Sequence, residues 1–115
     1  MNISCADDNG WLIVTLEGNA TNTGREEFRS FREEFPWDRS VKVVVDVQAV
    51  EGASDAAVEA LMGLTADAHH RGGRVVVIGE SMELRARISA LGMEGYIRTA
   101  MSVAHARMTL DIKNG

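Results

Sequence analysis

Hydrophobic positions along this chain follow two rhythms: short β-branched runs, and apolar residues recurring every three or four positions. The densest run is Val41, Val43, Val44, Val45 and Val47, the signature of a strand covered on both faces. Gly52, Ala53 and Ser54 interrupt it with small residues. Beyond them Val58, Leu61, Met62 and Thr65 recur at helical spacing. The pattern predicts a strand, a short loop and a helix from about Asp55 to His70, closed by the glycine stop Arg71-Gly72-Gly73. Regular helical spacing starts at Ala56, and either Ser54 or Asp55 caps the helix by accepting hydrogen bonds from its free first-turn amides.

The same reading extends in both directions. Ile3 to Ala6 forms a weak strand, Asp7-Asp8-Asn9-Gly10 a turn, and Trp11 to Leu16 a second strand, so the chain opens with a hairpin. Gly18 to Asn22 reads as a polar loop, and Thr23 with Glu26 fits a capping box. Phe28, Phe31 and Phe35 then mark a helix that Pro36 ends. After the central helix come a strand at Arg74 to Ile78 and a helix capped by Ser81, with Leu84, Ile88 and Leu91 inward. A short strand at Tyr96 to Thr99 precedes a final helix capped by Ser102 and bearing Val103, Ala106 and Leu110; Ile112 to Gly115 frays. Strands alternating with helices predict an α/β fold: one domain over residues 1–115, a mixed, mostly parallel β-sheet with right-handed crossovers, and about four α-helices. Val43, Val45, Leu61, Val76 and Leu84 are its expected core.

Composition narrows the function more than the fold. Cys5 is the single cysteine among 115 residues, so no internal disulfide can form and a reducing compartment is the simplest setting. The chain lacks a signal-peptide pattern and any apolar run near the roughly 18 residues a membrane span needs, which predicts a cytoplasmic protein. A net charge of −5 argues against nucleic acid and weakly favours a basic protein surface. The candidate chemistry is thin. His69 and His70 are adjacent and point to different sides of one helix, and His105 lies on another. Ser54 beside Asp55 is not triad geometry. There is no nucleophile elbow and no Walker pattern, and Gly72-Gly73 follows a helix rather than opening one. Six methionines are scattered as core filling, and Glu26, Glu27, Glu33 and Glu34 form a solvated helix face. Neither catalysis, a metal nor a cofactor is expected.

Read with its flanks, VVVDVQAVEGASDAAVEALMGL, then HHRGGRVVVIG, LRARISALGMEGYI and SVAHARMTL, the chain resembles the STAS domain, the fold of bacterial anti-sigma factor antagonists. That family carries a valine-rich strand and then an Asp-Ser-Ser-Gly-type motif opening a helix that ends at Gly-Gly. In sporulation-type members the second serine of the motif is phosphorylated by an anti-sigma factor that is also a kinase. The unphosphorylated form binds the anti-sigma factor and frees the sigma factor.

The resemblance places this motif on Ser54, Asp55, Ala56 and Ala57. Ala56 therefore stands where the family has its phosphoacceptor, Ser54 where it has Asp, and Asp55 where it has the first serine. Thr21, in the Gly18 to Asn22 loop, replaces a frequent acidic residue. The resemblance implies a regulatory domain that docks a protein partner, an anti-sigma factor or related regulator, through residues 54–59, including Glu59, and through Asn19 and Thr21. Switching by phosphorylation at position 56 is ruled out by the missing hydroxyl. Asp55 is either an N-cap or a fixed negative charge beside that position. Two rival roles stand beside this one: an accessory STAS subunit of a membrane transporter, and a nucleotide-binding sensor.

Overall fold

The computed structural model describes the backbone of residues 1–114 and the side chains of residues 1–108. Asn9 and Gly10, with φ of 52° and 88°, form a two-residue turn. It folds β1 (Asn2–Asp8) antiparallel onto β2 (Trp11–Asn19). From there strands and helices alternate: α1 (Arg25–Glu33), β3 (Lys42–Glu51), α2 (Asp55–His70), β4 (Arg74–Ile78), α3 (Met82–Ala90), β5 (Arg98–Ala100) and α4 (Val103–Asn114). The sheet order is β1-β2-β3-β4-β5, and β2 to β5 are parallel. Because strand order follows chain order, right-handed crossovers all step the same way and bring α1, α2 and α3 to one face.

That face holds the main core. Leu12, Val14 and Leu16 of β2, Val43, Val45 and Val47 of β3, and Val75 and Val77 of β4 pack against Phe31, Leu61, Leu64, Leu84 and Ile88. The alternate residues Trp11, Val44, Val76 and Ile78 form a second cluster with Ala106 of α4. Helices on both sides explain why β3 reads as an unbroken valine run rather than an alternation: Val43, Val44 and Val45 are all fully buried. The five expected core residues, Val43, Val45, Leu61, Val76 and Leu84, are buried.

Several boundaries differ from the sequence expectation, each for a local reason. β2 runs on to Asn19 through a register shift between Thr15 and Glu17, so the polar loop begins at Ala20 rather than Gly18. The Thr23–Glu26 capping box does not form; the Thr23 hydroxyl donates to the Asn19 carbonyl at 2.8 Å, and Gly24 is the N-cap of α1. That helix ends at Glu33, ahead of Pro36. α2 starts at Asp55, one residue before Ala56. Leu91 is the C-cap of α3 and lies 39% exposed, at the open end of the helix face on which Leu84 and Ile88 are buried. The last strand begins at Arg98, because the amides of Tyr96 and Ile97 both donate to the Met93 carbonyl and hold that segment in a turn. Ser102 does cap α4, accepting from the His105 amide at 3.1 Å. α4 continues to Asn114, through residues expected to fray. The Leu110 side chain and Gly115 lie outside the described residues.

Candidate functional site

In a parallel sheet the loops leaving the carboxyl ends of the strands collect at one pole, where such folds place their binding sites. β2 and β3 are neighbours and end in register at Asn19 and Glu51, so the loops that follow them meet. Asn19 organises the first loop. Its Oδ1 accepts from the amides of Thr21 at 2.9 Å and Asn22 at 3.3 Å, and its carbonyl accepts from the Thr23 amide at 3.1 Å. Such self-bonding is what suits Asn to tight turns. Ala20 donates across to the Glu51 carbonyl at 2.8 Å, fastening this loop to the end of β3. Thr21 lies over Gly52, whose φ is +72°; a Cβ at Gly52 would run into the Thr21 hydroxyl oxygen. The small residue after β3 is thus required twice over, by conformation and by the approach of the other loop.

The start of α2 resolves the choice of cap. Ser54 is the N-cap, and its Oγ accepts from the Ala57 amide at 3.2 Å. Asp55 is the first helical residue, and its Oδ1 accepts from the Arg87 guanidinium of α3 at 3.2 Å. Glu59, one turn later, pairs with Arg25 of α1. Two ion pairs therefore flank Ala56 and link α2 to a helix on either side. Replacing Ser54 with Ala should lower stability by about 1 kcal/mol, measured by urea unfolding. A silent Ser54→Ala variant would mean that the Ala57 amide finds another acceptor.

Asn19, Thr21, Asp55 and Glu59 are exposed, and Ser54 and Ala56 are half-buried. Thr21, Ser54, Asp55 and Ala56 line one open depression with Arg25 and Arg87. Ala57 is different. Its side chain is buried against Ala20, Phe28 and Ala60, so its contribution at the pole is the amide held by Ser54. Arg25 and Arg87 were not legible as site residues, because their partners lie 34 and 32 positions away. No periodicity or motif reports such pairs. The histidines are elsewhere: His69 packs edge-on against Tyr96 with centroids 6.0 Å apart, and Nδ1 of His105 accepts from the Met101 amide at 3.0 Å. Among the described residues no cluster of His, Cys, Asp and Glu is arranged to hold a metal ion.

The family model described as "Mlab, STAS domain" matches residues 7–104. The chain belongs to the STAS family. No curated protein matches the sequence. Among solved structures, a serine-to-glutamate variant of RsbS from Moorella thermoacetica superposes with a TM-score of 0.78 at 16% identity, covering 99% of this chain and 98% of its own. The anti-sigma factor antagonist SpoIIAA in its unphosphorylated form gives 0.74 at 10% identity, with 96% and 97% covered. SLC26A9 gives 0.68 at 14% identity over 93% of this chain but 20% of its own. At these identities the likeness is one of fold. In this STAS domain no helix among the described residues is long and apolar enough to cross a membrane.

Proposed function

We propose that this STAS domain is a regulatory binding module that docks an anti-sigma factor or related regulator through Ser54, Asp55, Ala56, Glu59, Asn19 and Thr21, with Ala57 beneath. The observation that carries this reading is the state of the polar groups at the pole. Ser54 is occupied as a cap, Asp55 and Glu59 are held in ion pairs, and Ala56 presents a methyl group. With the Ser54 hydroxyl and both carboxylates already engaged, such a surface suits recognition rather than catalysis. SpoIIAA, whose fold this chain shares, is an anti-sigma factor antagonist. With Ala56 at the expected phosphoacceptor position, binding is constitutive there, and control rests on abundance or on the partner.

A photo-crosslinking residue placed at position 56 tests this in cells, with the same group at position 39 as control. Arg39 precedes β3 and so marks the opposite end of the sheet. The expected result is one protein captured from position 56 and not from position 39, with no phosphate on Ser54 by mass spectrometry. Equal capture from both positions, or phosphorylation of Ser54 accompanied by loss of the complex, overturns the reading. A second reading, an accessory subunit of a membrane transporter, is favoured by the match to one part of the much longer SLC26A9 chain. The identity of the captured protein separates the two.

A further inference from the structure

Among the described residues three helices open on a serine cap, and α2 is held least tightly of the three. In α3 the Ser81 Oγ accepts from the Leu84 amide at 3.1 Å, and the Ser81 carbonyl accepts from the Arg85 amide at 2.9 Å. α4 opens with the same two distances on Ser102, from His105 and Ala106. At Ser54 the corresponding bonds, from Ala57 and Val58, are 3.2 and 3.3 Å, the second beyond the usual N–H···O range. The residue after the cap differs too. Met82 and Val103 are apolar, whereas Asp55 ranks with serine as a capping residue.

α2 therefore has two available starts. In the one observed, Ser54 is the cap, Asp55 is helical, and its carboxylate accepts from Arg87 of α3 at 3.2 Å. In the other, Asp55 turns extended and its carboxylate accepts from the first-turn amides, so the helix begins one residue later. The change is confined to the first turn. Val58 is fully buried and Ala57 nearly so, which fixes the body of the helix. Gly52, Ala53 and Ser54 are small and only half-buried, and they can absorb the shift upstream. Serine and aspartate caps are close to equal in strength, so the hydrogen bonds alone leave the two starts near balance.

The ion pair breaks that balance. Leu84 and Ile88 anchor α3 in the main core, so Arg87 draws on Asp55 from a fixed platform. We propose that Arg87 is a positioning residue of the pole, which selects the Ser54 start of α2 by holding Asp55 toward α3. A half-exposed pair of this kind shifts such an equilibrium up to about fivefold. Without it the Ser54 hydroxyl leaves the helix end and the Asp55 carboxylate takes its place, which alters the polar groups that the pole presents. Selection of the start needs no partner; its consequence for docking rests on the function proposed above.

The test is the cost of Ser54→Ala in different backgrounds, read by urea unfolding. In the wild type the change should raise the unfolding equilibrium constant about three- to fivefold. Arg87→Glu repels Asp55, and Asp55→Asn keeps a capping side chain without the charge. In either background Ser54→Ala should cost less than about twofold, because residue 55 already caps the helix. Arg87→Lys should restore the wild-type cost. Backbone carbon chemical shifts report the start directly. Residue 55 should be helical in the wild type and in Arg87→Lys, and should move toward extended values in Arg87→Glu and Asp55→Asn. An ion pair that only adds stability moves neither readout. Equal Ser54→Ala costs in every background, with residue 55 helical throughout, overturn the proposal. A shifted start that leaves partner binding unchanged supports the role of Arg87 and counts against the docking pole alone.

Discussion

Truncating Leu61 to Ala should cost about 2–5 kcal/mol of folding stability, read from the shift of the urea midpoint at constant slope. Leu61 is 4% exposed and lies on the α2 face that packs into the main core against the sheet. Its side chain already borders an apolar hollow lined by Met1, Leu16, Phe28, Phe31, Val47 and Leu84. Deleting its isobutyl group enlarges that space, and the flanking sheet and α1 are too constrained to collapse into it. The upper half of the range is therefore expected, a large fraction of the roughly 5–15 kcal/mol that holds a typical domain together. Leu91→Ala is the internal control. Leu91 sits half-exposed at the C-cap of α3, and its loss should cost about 1 kcal/mol or less. Equal losses at the two positions would contradict the packing described here.

The contrast between Leu61 and Leu91 shows where the sequence is informative. Periodicity reports which residues share a face as long as the helix lasts, so Val58, Leu61, Leu84 and Ile88 were assignable. It does not report where the helix stops, and Leu91 falls beyond that point. The β3–α2 unit was legible because its signals agree: a valine run, small loop residues, and Ser54 before an apolar helix face. The choice between Ser54 and Asp55 as cap was not, because both are good cap residues and the answer depends on Arg87, which draws Asp55 away toward α3. Thr23 and Glu26 carried a genuine capping signal, but the Asn19 carbonyl competed for the Thr23 hydroxyl and won. The missing part of the candidate site has the same origin. Arg25 and Arg87 belong to it only through contacts that the fold creates.

Introducing a carboxylate at the centre of the pole should separate folding from binding. Ala56 is the second residue of α2, half-buried between the Asp55–Arg87 and Glu59–Arg25 pairs. Ala56→Glu puts a negative charge in the first helical turn, where the free amides and the helix dipole favour it by a few tenths of a kcal/mol. Arg25 and Arg87 line the same depression and offset the added charge. The variant should therefore melt within a few degrees of the wild type. Its effect on the proposed partner should be large. A longer, charged side chain would stand where a methyl group now lies flush with the surface, beside Asp55 and Glu59, and any partner shaped to the methyl would meet both bulk and unmatched charge. A loss of about 2 kcal/mol or more, roughly thirtyfold in Kd by titration calorimetry, is expected at the centre of such an interface. Ala56→Ser changes the surface by one hydroxyl and should bind within about threefold of the wild type, because exposed polar changes of that size cost little. A partner that binds Ala56→Glu as tightly as the wild-type chain docks somewhere other than this pole.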